Sequence, residues 1–487
     1  MNNNSGMHLG LGVRIGMVAR RGFGRLAPDP FVLAVALTIL TFGVSVAYIL
    51  FRSSDSEVVS TFVLGANPIP TGWQQIRELL RSWSGSSGLW KLATFAMQIS
   101  VMLVLGTAVA QATVIQSGLS QFIVFVRNPR QLVASVAAWS IGLALINWSL
   151  GLIAGAFMAR EAGRLAQRRG WTLHYPLLCA AGYSGLMVWH GGWSGTAPLK
   201  VTQLSDLQEI LGTDLASRVG AISLSKTLLG PLNLFVSFGL FILGPWLFYV
   251  MTPKPGQDPG AYEFNASSSP LTPNSSGKTD QGNDELEESP WILRILGLLF
   301  IAALSDDLLD HGLENFGLNQ INLCLWCAAL FAHSRPSKFI QACESGIRGC
   351  TGVIIQFPLY AGIMILLSQS GLSQEITALV GVVGPTALAI WTFFSAAILN
   401  LLIPSGGGQW AVQGPVIMQA ALDVGARVEY MVMAMAYGDQ LTNMLQPFWA
   451  LPLLAITGVQ AREIAGYCAI WMVFGGLWVL LGLLVFV

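Results

Sequence analysis

The run from Phe31 to Phe51 contains no charged side chain, and similar low-charge runs recur at Ala221–Met251 and Ile464–Val487. Each is long enough to span the ~30 Å hydrocarbon core of a bilayer as a helix. Over the whole chain only 10% of residues are charged and 53% are hydrophobic, whereas a soluble domain carries about 25% charged residues. The chain therefore reads as an all-α polytopic membrane protein. With 25 basic and 25 acidic residues it has no excess positive charge to hold nucleic acid, and none is expected as a partner. The lipid bilayer is.

In a membrane, irregular backbone is informative. It leaves peptide groups without partners, and is tolerated only where it is buried in protein or lines a watery cavity. The stretch Asn400-Leu-Leu-Ile-Pro-Ser-Gly-Gly-Gly-Gln-Trp410 interrupts a long apolar segment in this way. Similar interruptions occur at Asn147-Trp-Ser-Leu-Gly151, at His190-Gly-Gly-Trp-Ser-Gly195 and between Gly438 and Pro447.

Charge placement orients the segments. Arg14, Arg20, Arg21 and Arg25 precede the first span, which shows no small-residue cleavage pattern, so a cytoplasmic N-terminus (1–28) is expected. An outer loop follows, with a short interfacial helix at Trp73–Trp83, and Leu92–Ala112 returns the chain inside. The segment Gln131–Met158 has basic residues on both flanks, Arg127 and Arg130 before it and Arg160 to Arg169 after it. A re-entrant hairpin with its tip near Asn147 keeps both flanks on one side. Tyr175–Leu199 and Ala221–Met251 then cross as a broken and an unbroken span. A Pro-, Ser- and acid-rich stretch, 253–289, reads as a disordered cytoplasmic linker between membrane halves 29–252 and 290–487. The second half holds spans at Trp291–Leu304, Leu318–Phe331 and Cys350–Leu367, a hairpin at Pro385–Ala421, a broken span at Tyr430–Thr457 and a last span at Ile464–Val487. The expected total is about nine crossings and two hairpins.

The halves resemble each other. Tyr183 and Pro198 recur as Tyr437 and Pro452 at one common offset, and Gln98, Trp139 and Asn147 recur at nearly that offset as Gln356, Trp391 and Asn400. The charge pattern starts the first half from outside and the second from inside, so the repeats are expected to be inverted. Matching interrupted segments in two such halves point to a transport site. Broken helices offer free N–H groups to an anion and free carbonyls to a cation, and glycines permit close approach.

This marks Gly151, Gly191, Gly192, Gly195, Gly406, Gly407 and Gly408, with the small polar residues Asn147, Ser194, Thr196, Ser405, Thr442 and Asn443 beside the breaks. Ser405, Thr442 and Asn443 could ligate Na⁺; capping of freed backbone is the other reading of these polar groups. Asp439 lies well inside a span, where a carboxylate costs about 2.5–3.5 kcal/mol and by default marks function. It reads as proton acceptor or sodium ligand, or as a structural hydrogen-bonding group. His190 could titrate or simply be satisfied in the core. Trp148, Trp410 and Trp449 could wall an apolar pocket or anchor at an interface. Lys226 reads as a snorkelling residue, and no Lys or Arg is expected beside the four breaks. No nucleophile, metal cluster or paired acid and base stands out, so an enzyme is not expected.

Seven blocks carry a resemblance to a known family: Leu26-Ala-Pro-Asp-Pro30, Ile146-Asn-Trp148 with Gly151, Gly191-Gly-Trp-Ser-Gly195, Gln356-Phe-Pro358, Pro404-Ser-Gly-Gly-Gly408 with Trp410 and Gln413-Gly-Pro415, Ala436-Tyr-Gly-Asp-Gln440, and Gln446-Pro-Phe-Trp-Ala-Leu-Pro452. Together they resemble the short-chain fatty acid (acetoacetate/butyrate-type) uptake transporters of the ion transporter superfamily. The resemblance implies elevator-type motion of hairpins and broken helices against a fixed dimerising scaffold, hence a homodimer. It also implies a bacterial inner-membrane location and a short monocarboxylate carried with H⁺ or Na⁺, without other cofactor, and adds Gln440 and Gln446 to the site. A sodium-coupled dicarboxylate symporter of the same superfamily and a channel are the rival readings. His190 stands where the family has glycine, Gln409 where it has histidine, and Asp439 where it often has glutamate.

Overall fold

The computed structural model describes residues 30–60, 72–253, 288–312, 316–372, 384–401, 403 and 405–487. The expected N-terminal segment 1–28, and residues 254–287 of the expected linker, lie outside the described residues. Among the described residues all regular structure is helical. The first part comprises α1 (Pro30–Ser60), α2 (Gly72–Ser84), α3 (Ala93–Gln111), α4 (Thr113–Val124), α5 (Pro129–Ile146), α6 (Trp148–Arg168) and α7 (Tyr175–Tyr183). Two 3₁₀ turns, Ser184–Met187 and Trp189–Gly191, lead into α8 (Thr196–Lys200), α9 (Leu204–Leu211), α10 (Thr213–Val219) and α11 (Pro231–Met251).

After residue 287 come α12 (Pro290–His311), α13 (Leu318–Ala332), α14 (Pro336–Ile347), α15 (Thr351–Ser370), α16 (Pro385–Asn400), α17 (Gly406–Asp423) and α18 (Val428–Thr442). A 3₁₀ turn, Asn443–Leu445, separates α18 from α19 (Pro447–Thr457), and α20 (Ala461–Phe486) ends the chain. Proline stands at the first or second position of α5, α7, α11, α12, α14, α16 and α19. That position suits it, because the missing N–H would have no partner within the helix.

Six helical segments among the described residues are long and apolar enough to cross a membrane: Ala34–Phe51, Ala93–Gln111, Pro129–Ile146, Pro231–Met251, Pro336–Ser370 and Ala461–Phe486. Large apolar side chains such as Ile39, Phe238, Ile242, Leu298 and Leu484 are exposed on the outer faces, as a surface facing lipid requires. The helices pack as two groups. One gathers α1, α2, α3, α12, α13, α14 and α15; the other gathers α5, α6, α7, α11, α16, α17, α18, α19 and α20. They meet where α3 packs on α6 and α15 packs on α17.

Within the second group small residues let backbones approach, as is usual between helices in lipid. A Cβ on Gly155 of α6 would stand 2.1 Å from the carbonyl oxygen of Gly182 on α7. Ser140 on α5 fixes the end of α7: its Oγ donates to the Gly182 carbonyl at 2.7 Å and accepts from Gly185 N at 3.2 Å.

Several boundaries differ from those the sequence suggests. The first broken segment opens at Ser184 rather than His190, because Ser140 competes for the backbone groups that would continue the helix. The second holds helix through Gly438 to Thr442. Gly438 serves packing there: a Cβ would lie 2.1 Å from the Phe393 carbonyl on α16. Asp306, Asp307 and Asp310 lie in the last turns of α12, beyond the span end expected at Leu304. Lys226 lies in the turns before α11, outside the span assigned to it.

Candidate functional site

The first hairpin turns on one residue. Asn147 closes α5 with its backbone N–H on Leu143 O at 2.8 Å. It opens α6 with its side chain, Oδ1 accepting from Leu150 N at 3.0 Å and from Ser149 Oγ at 2.8 Å. The neighbouring break is sewn to this tip: Trp148 N donates to Ser194 Oγ at 2.9 Å, and Trp193 N donates to Leu145 O at 2.7 Å. A Cβ on Gly192 would sit 2.3 Å from that Leu145 oxygen, so only glycine permits the contact. Gly151, Gly191 and Gly195 are similarly closed in by Ala144, Asn233 and the His190 carbonyl.

The second hairpin mirrors the logic with the amide reversed. Asn400 Nδ2 donates to the Asp439 carbonyl at 2.6 Å and lies 2.9 Å from Thr442 Oγ1 and 2.7 Å from Asn443 Oδ1. Gln446 Nε2 donates to the Asn400 carbonyl at 2.5 Å. Thr442, Asn443 and Gln446 are therefore gathered around the tip. Ser405 instead caps α17, its Oγ accepting from Gly408 N at 3.3 Å. The triple glycine lies against side chains: a Cβ on Gly406 would meet Trp189, His190 and Thr196, one on Gly407 would meet Phe95 and Phe357, and one on Gly408 would lie 2.3 Å from the Tyr360 ring.

The two breaks meet at a buried pair. His190 Nδ1 lies 2.7 Å from Asp439 Oδ2, and both side chains are fully buried, at 0% exposure. Ala197 N–H donates to His190 Nε2 at 3.1 Å, with Thr196 Oγ1 also at 3.1 Å. A backbone N–H can only donate, so Nε2 carries a lone pair and the proton sits on Nδ1, facing the carboxylate. The His190 backbone N–H donates to Gln440 Oε1 at 3.1 Å.

Two tyrosines add reciprocal ties. Tyr183 donates to the Asn443 carbonyl at 2.7 Å, and Tyr437 donates at 3.0 Å to Asn233 Oδ1, whose amide holds the Gly191 carbonyl at 2.8 Å. Trp148 packs edge to face on Trp449 (5.1 Å) and on Trp189 (6.3 Å), which stacks on His190 at 4.3 Å. Trp410 is fully buried on α17 beside Gly414.

One expectation fails. Lys200 ends α8, just beyond the first break, and its side chain is fully buried. Its Nζ pairs with Asp206 at 3.2 Å and Glu209 at 2.6 Å, and lies 4.7 Å from the Phe95 ring centre. The sequence hides this because α9, which supplies both carboxylates, turns back only in three dimensions. Asn233 and Asn400 were also outside the expected site; the register of Asn400 with Asn147 was the available signal for the second.

Long apolar helices, two helical hairpins and two broken helices meeting in a buried polar junction describe a multi-pass membrane protein. The sequence profile of the short-chain fatty acid transporter family matches residues 13–487, and the chain belongs to that family. It is 34% identical over 478 residues to a protein of Escherichia coli (strain K12) named as a short-chain fatty acid transporter, covering 97% of this chain and 99% of that one. A Haemophilus influenzae protein named likewise is 31% identical over 448 residues, covering 92% and 94%. Among solved structures, the YdaH transporter of Alcanivorax borkumensis shares the fold, with a TM-score of 0.55 at 16% identity, over 94% of this chain and 97% of that one.

Proposed function

We propose that the protein is a secondary transporter that takes up short-chain monocarboxylates such as butyrate and acetoacetate across the inner membrane, together with H⁺ or Na⁺. The observation that carries this reading is the opposed use of Asn147 and Asn400. Asn147 turns its oxygen onto its own helix and leaves Nδ2 without a hydrogen-bond partner among the described residues, whereas Asn400 turns its amide nitrogen onto the second break and leaves Oδ1 without one. The first tip thus offers a donor beside the N-terminus of α6, which suits a carboxylate. The second offers Asn400 Oδ1 as an acceptor, which suits a cation or a proton donor. Trp148, Trp189 and Trp449 supply an apolar wall for a short acyl chain.

Inverted repeats, with hairpins and broken helices sliding as one body along α3 and α15, account for the two helix groups, and a homodimer would steady that wall. A dianion would need more positive charge than a monoanion. Lys200, a buried cation just beyond the first break, is already matched by two carboxylates, which favours the monoanion over the dicarboxylate reading. Uptake of labelled butyrate into proteoliposomes tests this. Monocarboxylates from acetate to hexanoate should compete and succinate should not; equal competition by succinate would refute the assignment.

A further inference from the structure

Resting on the reading of the protein as a monocarboxylate transporter, we infer that the coupling ion is a proton, bound by the His190–Asp439 pair at the meeting point of the two breaks. The argument starts from the hydrogen bonds. Nε2 of His190 is occupied as an acceptor by Ala197 N–H, so its proton lies on Nδ1, pointing at Asp439 Oδ2. With Asp439 ionised, the pair is a neutral imidazole and a carboxylate, one net negative charge at zero exposure. A proton arriving at Nε2 would have to displace the Ala197 N–H. One arriving at Asp439 Oδ1 displaces nothing, because that oxygen has no hydrogen-bond partner among the described residues. Protonation there converts the carboxylate to the acid, keeps the Nδ1–H···Oδ2 bond, and leaves a new O–H that a bound carboxylate can accept. On release the same proton returns to water with the substrate.

The electrostatics couple the two events. A substrate carboxylate beside an ionised Asp439 would put two like charges in a site shielded from water, which is strongly unfavourable. Adding the proton removes one of them, so proton and anion bind cooperatively, and each must raise the affinity of the other by the same factor. The surroundings leave the task to this pair. Of the other titratable side chains on the elements packed against the pair, Tyr437 is bound to Asn233, Tyr183 to the Asn443 carbonyl, Lys200 to Asp206 and Glu209, and Glu429 and Tyr430 to Arg427. On α20, Glu463 accepts from Gln460 N and Tyr467 packs on His174. Arg130 lies over the Tyr249 ring, and Asp423 accepts from Gln419. At the second tip, the Asp439 main-chain carbonyl, Thr442 Oγ1 and Asn443 Oδ1 converge on the Asn400 amide nitrogen, which stands where a Na⁺ held by those three oxygens would.

The pair also touches both hairpins. Asp439 is held to the second tip through its own carbonyl and Asn400, and a Cβ on Gly406 would lie 2.8 Å from His190 Cε1. Trp189 stacks on His190 and reaches Trp148 at the first tip. A proton at Asp439 is therefore sensed at both ends of the site.

Calorimetry of acetoacetate binding to the purified full chain, at one pH in buffers of different ionisation enthalpy with and without Na⁺, tests the assignment. The native protein should take up about one proton per acetoacetate bound, without need of Na⁺. Asp439→Asn, which keeps the shape but cannot titrate, should bind without proton uptake. His190→Gln, which retains a donor toward Asp439, should still take up a proton, with the pH at which uptake is half-maximal displaced. Binding without proton uptake in the native protein, or uptake that persists in a folded Asp439→Asn, would overturn the proton assignment and leave the substrate reading standing. Absence of binding by acetoacetate, butyrate and propionate in every buffer would remove the substrate reading itself, and the coupling role with it.

Discussion

The hydroxyl of Tyr183, on the first broken helix, donates at 2.7 Å to the main-chain carbonyl of Asn443 in the second break. The residue is buried, and the bond reaches a carbonyl at the end of α18 that also accepts from Gln446 N at 3.2 Å. Tyr183→Phe should therefore cost about 0.5–1.5 kcal/mol, the net worth of one hydrogen bond, because the carbonyl keeps its second donor. A lower melting temperature in detergent would show it. A phenylalanine variant as stable as the native chain would mean that the Gln446 N–H alone satisfies the Asn443 carbonyl.

The triple glycine is required by close packing. Gly408→Ala would force a methyl to within 2.3 Å of the Tyr360 ring. Overpacking of this kind costs typically about 1–3 kcal/mol, and the tip of α17 should be displaced with loss of most uptake. Gly384→Ala, at a position with nothing within 4 Å of the added Cβ, should leave uptake and melting unchanged. Paired measurement of both variants separates crowding from a general intolerance of the second hairpin.

Asn400 discriminates between donor and acceptor. Asn400→Asp should lower stability more than Asn400→Ala, because a carboxylate would replace the nitrogen among the Asp439 carbonyl, Thr442 Oγ1 and Asn443 Oδ1. An uncompensated buried charge of this sort costs about 3–5 kcal/mol. Thermal melts in Na⁺-free buffer compare the two; a more stable aspartate variant would argue for a cation among those oxygens.

Lys200→Met removes the positive member of a buried triad. Its partners Asp206 and Glu209 keep 18% and 20% side-chain exposure, so water relieves part of the loss. The effect should fall below the 3–5 kcal/mol typical of a fully buried broken pair, at roughly 1–3 kcal/mol. Adding Asp206→Asn and Glu209→Gln should restore part of the melting temperature.

Much of this arrangement is legible in the sequence, for a physical reason. Asn147, Gly192, Ser405 and the triple glycine lie where the chain must turn, cap or approach closely, and those demands restrict residue type locally. The membrane character follows from low charge alone. What the sequence hides are partnerships between distant positions: His190 with Asp439, Tyr183 with Asn443, Lys200 with Asp206 and Glu209 across a turn. Gly438 shows the opposite error. Its place in an apolar run suggests a break, while in the structure it keeps its helix and yields space to the Phe393 carbonyl.

The central claim, carriage of a short monocarboxylate, is tested most directly by counterflow. Proteoliposomes loaded with unlabelled acetoacetate and diluted into a trace of the labelled compound should accumulate label transiently above its equilibrium level, saturably, and protein-free vesicles should not. Label that only equilibrates, at a rate unaffected by internal acetoacetate, would contradict the account and point to a channel or to another substrate.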